Sequence, residues 1–196
     1  MGELKKKKKV NVYVVHGYTS ASSAEWFPWL KNKLTEIDIS TTIFDMPNPN
    51  DPKVNEWDAY LDKNITECTE STILVGHSLG CITLLRYLEK QSDDRKIGGI
   101  ILVSGFLEPI TTLPILDPFI KQNLNTPKLI KMIKKRLVIS SLDDSIVPYQ
   151  LSCELAKQID AKLITVENGG HFIGQEGFTE FPLVFDEICK IINESQ

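Results

Sequence analysis

The feature that most constrains this chain is a pentapeptide at a change of period. Thr72-Ile73-Leu74-Val75 is a short apolar run, Gly76-His77-Ser78-Leu79-Gly80 follows at once, and Cys81–Leu88 continues with leucines at helical spacing. A chain that passes from strand to helix this abruptly strains the central residue of the turn. The residues two before and two after it must be small, which Gly76 and Gly80 satisfy. The turn presents the Ser78 hydroxyl at the C-terminal edge of a sheet, beside the start of a helix. A glycine-rich turn of this length also arises by chance, and the strand before it and helix after it give this one its weight.

The rest of the chain repeats the same alternation. Val10–Val15, Ile37–Phe44, Thr72–Val75, Ile97–Val103, Leu137–Ser140 and Lys162–Val166 read as strands. Between them, Ser22–Glu36 places Trp26, Leu30 and Leu34 four apart, and Val54–Cys68 carries Val54, Trp57, Leu61 and Ile65. Pro148 opens another helical stretch, Leu129–Ile133 reads as the end of a short helix, and Phe178–Ile192 reads as the last helix. Ile97–Val103 shows no polar alternation, as expected of a strand buried on both faces. Strand and helix alternating about six times predict a single α/β domain over residues 1–196, with a mainly parallel sheet of about six strands and helices on both faces.

Composition narrows the function classes. Of 196 residues, 42% are hydrophobic and 24% charged, an ordinary balance for a globular domain, and there is no room for a large cap domain. A formal charge of −4 argues against a basic nucleic-acid binder. No apolar run reaches the ~18 residues that cross a bilayer. Cys68, Cys81, Cys153 and Cys189 are widely spaced, so reduced thiols in a cytoplasmic setting are expected. Lys5–Lys9 reads as a solvated, flexible leader over a nuclear signal or an anionic-membrane patch. Metal-binding and nucleotide-binding motifs are missing, and no cofactor is expected. The proline-rich stretch Gly105–Lys128 is the one candidate for a small lid, its apolar residues either lining an acyl site or packing over the helices.

A serine hydroxyl is a poor nucleophile unless a base takes its proton. Of the three histidines, His77 sits in the turn itself and His16 ends the first strand, leaving His171 in the loop Asn168-Gly169-Gly170-His171-Phe172 as the candidate base. An acid that orients the imidazole should lie between serine and histidine in chain order. Ser141-Leu142-Asp143-Asp144-Ser145-Ile146-Val147-Pro148 resembles the G-x-x-D-x-x-V-P acid turn of many α/β hydrolases, which selects Asp144, with Asp143 as the neighbouring alternative. Oxyanion donors are expected from the backbone N–H of Leu79 and from the loop His16-Gly17-Tyr18-Thr19, where Tyr18 is chosen and Thr19 is the alternative. Trp26 is expected in the core. Phe27 and Trp29 fit either the core or a pocket wall, and Asp45–Pro52 either a pocket rim or a plain connection.

With these residues in place, the chain resembles the YdeN-like and retinoblastoma-binding protein 9 family of small serine hydrolases within the α/β-hydrolase superfamily. The similarity runs from His16 to about Ile188, through HGYTSASSAEWFPWLKNKL, DMPNPNDP, VGHSLGCITLLRYLE, GGIILVSGF, SSLDDSIVPY and NGGHFIGQEGFTEFP. The resemblance implies a three-layer α/β-hydrolase sandwich with little lid, and Ser78, Asp144 and His171 as a catalytic triad. The resemblance does not set the substrate. The site residues and the short insertion lead to the expectation of a serine hydrolase of the carboxylesterase type, acting on small carboxylic ester, thioester or aminoacyl-ester substrates. The mammalian member's L-x-C-x-E retinoblastoma-protein motif does not carry over, because Leu151-Ser152-Cys153-Glu154-Leu155 ends in leucine and Thr66-Glu67-Cys68-Thr69-Glu70 lacks the first leucine. The competing expectation is a catalytically silent interaction module on the same fold.

Overall fold

The computed structural model describes residues 9–120 and 124–194. Lys5–Lys8 of the basic leader, and residues 121–123 of the lid candidate, lie outside the described residues; Lys9 is exposed. The strands are β1 (Asn11–Val15), β2 (Ser40–Phe44), β3 (Thr72–His77), β4 (Ile97–Val103), β5 (Ile133–Ser141) and β6 (Lys162–Val166). The helices are α1 (Phe27–Glu36), α2 (Val54–Asn64), α3 (Leu79–Lys90), the short α4 (Asp117–Ile120) and α5 (Thr126–Met132), α6 (Tyr149–Gln158) and α7 (Pro182–Asn193).

All six strands are parallel in the order β2-β1-β3-β4-β5-β6. Successive strand side chains point to opposite faces, and the two cores follow that period of two. Val12, Val14, Ile73, Val75, Ile101 and Ile139 face α1 and α7. Tyr13, Val15, Leu74, Ile100, Leu102 and Val138 face α2, α3, α5 and α6. On α1 the fully buried Phe27, Leu30 and Leu34 lie on one face, and burying such a side chain contributes about 1.5–3 kcal/mol. Leu30→Ala therefore costs about 2–5 kcal/mol once its cavity is counted.

Several boundaries differ from the sequence reading, and three of them have a visible cause. Helix α1 starts at Phe27 and not at Ser22, because the Ser22 N–H and hydroxyl are both taken by the Asp45 carboxylate and Pro28 sets the first turn. Strand β5 starts at Ile133, four residues early. Its charged residues Lys134, Lys135 and Arg136 break the apolar pattern and instead pair with Glu70, Glu194 and Asp160. Helix α7 starts at Pro182, since Phe178 and Phe181 pack as separate loop residues against Phe172. The lid candidate divides its roles: Leu116 and Phe119 are buried in the core, with Phe119 against Trp57, while Thr112 and Leu113 face a cavity described below.

Candidate active site

The chain runs from β1 outward to β2, then returns to lay β3 on the other side of β1. In an open parallel sheet such a reversal leaves a crevice at the carboxyl ends of the two strands. Register places Val15 beside Gly76, so the loop after β1 and the turn after β3 emerge together. Ser78 follows β3 directly, at φ 53° and ψ −120°, a strained conformation for a residue with a side chain. Gly80 allows the approach, because a Cβ there would strike the carbonyl oxygens of Val15 and His16. Gly17 does the same from the other side: a Cβ on it would lie 2.9 Å from Ser78 Cβ.

His171 comes to this edge on the loop after β6, and Asp144 on the loop after β5. The His171 Nδ1–H points at the Asp144 carboxylate, 2.9 Å from Oδ2 and 3.1 Å from Oδ1. This leaves Nε2 as the ring nitrogen free to exchange a proton. Asp144 Oδ1 also accepts the Ile146 and Val147 N–H groups, both at 2.9 Å, and Oδ2 accepts the Ser104 hydroxyl at 2.7 Å. Burial alone pushes the Asp144 carboxyl up. The His171 hydrogen bond and charge, with the Val147 and Ser104 donors, outweigh it and hold the group below the usual carboxylate range.

Asp143, the alternative acid, does different work. Oδ1 accepts the Gly169 and Gly170 N–H groups at 2.9 and 2.8 Å and also the Ser141 hydroxyl. It ties down the glycine-rich loop that carries His171. Glu176 Oε2 accepts the His171 N–H at 2.6 Å from the other end of that loop.

The remaining histidines are both structural and both neutral. A carbonyl only accepts, so the 2.8 Å contact between His77 Nε2 and His171 O places the ring proton on Nε2. Burial, reinforced by repulsion from His171, pushes the His77 imidazole down to about 3. His16 Nε2 accepts the Met46 N–H at 3.0 Å, so its proton is on Nδ1, which donates to Gly17 O at 2.7 Å. Burial lowers the His16 imidazole as well, against the Gly17 bond and the Asp45 charge. Across a trans peptide the C=O and N–H point in opposite directions. Holding Gly17 O toward His16 therefore turns the Tyr18 N–H away from it. Of the two candidate amides Tyr18 and Thr19, the Thr19 N–H is already spent on Pro49 O at 2.9 Å. Leu79 opens α3, where the first-turn N–H groups have no intrahelical acceptor.

Ser78 and His171 border a cavity of about 520 Å³, lined also by Gly17, Tyr18, Ser145 and Ile146. Trp26 and Phe27 are fully buried in the core under α1, Trp29 packs on Phe185, and none of the three lines the cavity. Asp45–Pro52 likewise stays outside it and braces the Tyr18 loop through Met46 and Pro49. Cys81 is buried, and burial pushes its thiol up, away from the reactive thiolate. Among the described residues no group of three metal-ligating side chains converges, and no helix is long and apolar enough to cross a membrane. All four cysteines are free. Ser104 and Glu25, which meet Asp144 and the His171 loop respectively, carry no motif in the sequence, and the sequence reading missed both.

A family model described as serine hydrolase matches residues 12–190. The YdeN protein of Bacillus subtilis (strain 168) is 46% identical over 183 residues, which span 93% of this chain and 96% of that protein. The serine hydrolase RBBP9 of Rattus norvegicus is 26% identical over 169 residues, 85% of this chain and 84% of that one. The crystal structure of the B. subtilis ydeN gene product superposes with a TM-score of 0.92 at 43% identity, covering 94% of this chain and 99% of that chain. Est1E from Butyrivibrio proteoclasticus, at 19% identity, shares the fold with a TM-score of 0.71, over 98% of this chain and 90% of that chain.

Proposed function

The chain belongs to the serine hydrolase family, and from that premise we propose that it cleaves small carboxylic esters through an acyl-serine intermediate. The observation that carries the reading is the buried Asp144–His171 pair, 2.9 Å apart, whose His171 borders the same cavity as a strained Ser78. Ser78 Oγ attacks the ester carbonyl carbon while its proton passes to His171 Nε2. The developing imidazolium is held by Asp144, which keeps the ring oriented. The carbonyl oxygen becomes an oxyanion that receives the Tyr18 and Leu79 N–H groups. Collapse breaks the bond to the alcohol oxygen, which leaves with the proton from His171. Water then attacks the acyl-serine, gives a proton to His171, and releases the acid and the Ser78 hydroxyl.

The cavity volume supports substrates with short acyl and alcohol groups, and no step calls for a cofactor. Thioesters and aminoacyl esters share the same carbonyl chemistry and belong in the same assay panel. Turnover of p-nitrophenyl acetate by the wild type and its loss in Ser78→Ala is the expected result. A folded wild type inert to the whole panel would instead favour the silent interaction module.

A further inference from the structure

The cavity beside Ser78 is electrically one-sided. Among the described residues no lysine or arginine borders it, and His77 is neutral; Glu25 is the carboxylate among its lining residues. Around Glu25 the lining is hydroxyl and apolar, including Thr19, Ser20, Thr112, Leu113 and Ile146. The buried Asp144 charge behind His171 adds to the same sign.

Glu25 is also held there against its backbone preference. Its φ is 53°, a left-handed conformation that glycine or asparagine fills more readily. The loop that carries the base keeps it in place: Glu25 Oε2 accepts the Gly174 N–H, and the adjacent Trp26 Nε1–H donates to Phe172 O at 3.1 Å. A strained residue over-determined by its surroundings, next to a reacting centre, points to function. A carboxylate at the wall of a partly desolvated cavity attracts a cation more strongly than one in open water does.

We propose that Glu25 makes the cavity selective for substrates that carry a cationic group, a protonated amine or quaternary ammonium, over neutral isosteres and against anionic esters. The inference rests on the ester-hydrolase reading above. The substitution that isolates it is Glu25→Gln, which removes the charge and keeps an oxygen for the Gly174 N–H.

Two isosteric pairs locate the cation. The p-nitrophenyl ester of γ-trimethylammoniobutyrate, compared with its all-carbon isostere, places the charge on the acyl side. Acetylcholine, compared with its carbon isostere, places it on the alcohol side. In the wild type one pair is expected to show a kcat/KM preference for the cation of roughly tenfold, carried mainly by KM. In Glu25→Gln the ratio within that pair falls toward unity whatever the change in turnover of the neutral ester. Loosening of the His171 loop alone would slow both members of a pair alike and leave their ratio in place. Equal turnover within both pairs, or a preference that survives Glu25→Gln, overturns the inference and leaves the ester-hydrolase reading standing. A wild type that cleaves none of the four esters overturns that reading and the inference with it.

Discussion

The Ser104 hydroxyl donates to Asp144 Oδ2 at 2.7 Å from the end of the neighbouring strand β4, fully buried and with its own φ at 48°. The Asp144 carboxylate thus shares its charge among Ser104, two backbone N–H groups and His171. Removing the Ser104 hydroxyl takes away one of the hydrogen bonds that fix the carboxylate against the His171 ring. Ser104→Ala should lower kcat/KM about tenfold, consistent with the loss of one hydrogen bond to a charged group. Steady-state kinetics of the variant beside the wild type check this; an unchanged kcat/KM assigns Ser104 to packing.

The two adjacent aspartates should separate cleanly. Asp144→Asn loses the charge that orients and stabilises the His171 ring, and kcat should fall by roughly 10³–10⁴. Asp143→Ala loses the acceptor for the Gly169 and Gly170 N–H groups and loosens the loop without touching the imidazole, so the fall should be nearer tenfold. Steady-state kinetics on the two variants distinguish the roles.

Stability should weaken on mild acidification because of His77. Burial pushes its folded-state pKa down to about 3 from the ordinary 6.5, so between those limits the unfolded chain binds the extra proton. The unfolded state therefore gains as pH falls, by about 2 kcal/mol from this residue alone between about pH 7 and pH 5. His16, also lowered, acts in the same direction. Urea midpoints at the two pH values measure the slope, and His77→Gln should flatten it.

Away from the site, Asp58 on α2 meets Arg86 and Lys90 on α3 at 2.8 and 2.6 Å, with the Arg86 side chain only 3% exposed. Taking the carboxylate from beside a buried guanidinium is far more damaging than losing a surface pair. Asp58→Ala should lower the unfolding free energy by about 3 kcal/mol and leave kcat unchanged, as denaturant melts and ester turnover would register.

What could be read in advance follows from how local each cause is. The turn around Ser78 was legible because its sterics are contained in five residues. The alternation of periods gave the parallel sheet, since strand and helix periods differ along a single stretch of chain. Asp144 and His171 were legible through chain order and loop composition. Ser104 and Glu25 were not: their partners lie 40 and 149 residues away, and only the fold brings them together. The start of β5 was hidden for a related reason, since Lys134, Lys135 and Arg136 read as a polar break until their carboxylate partners are seen. Phe27 and Trp29 stay open between core and pocket wall in the sequence, because closeness to the Tyr18 loop along the chain does not fix which way a side chain faces; the helix turns them into the core and onto α7.

The most direct test of the account is covalent labelling with a fluorophosphonate followed by peptide mapping. The wild type should take up one equivalent on the peptide containing Ser78, and Ser78→Ala should take up none while keeping the wild-type fold by circular dichroism. Label on any other residue, or label that persists in Ser78→Ala, would contradict the assignment of Ser78 as the nucleophile.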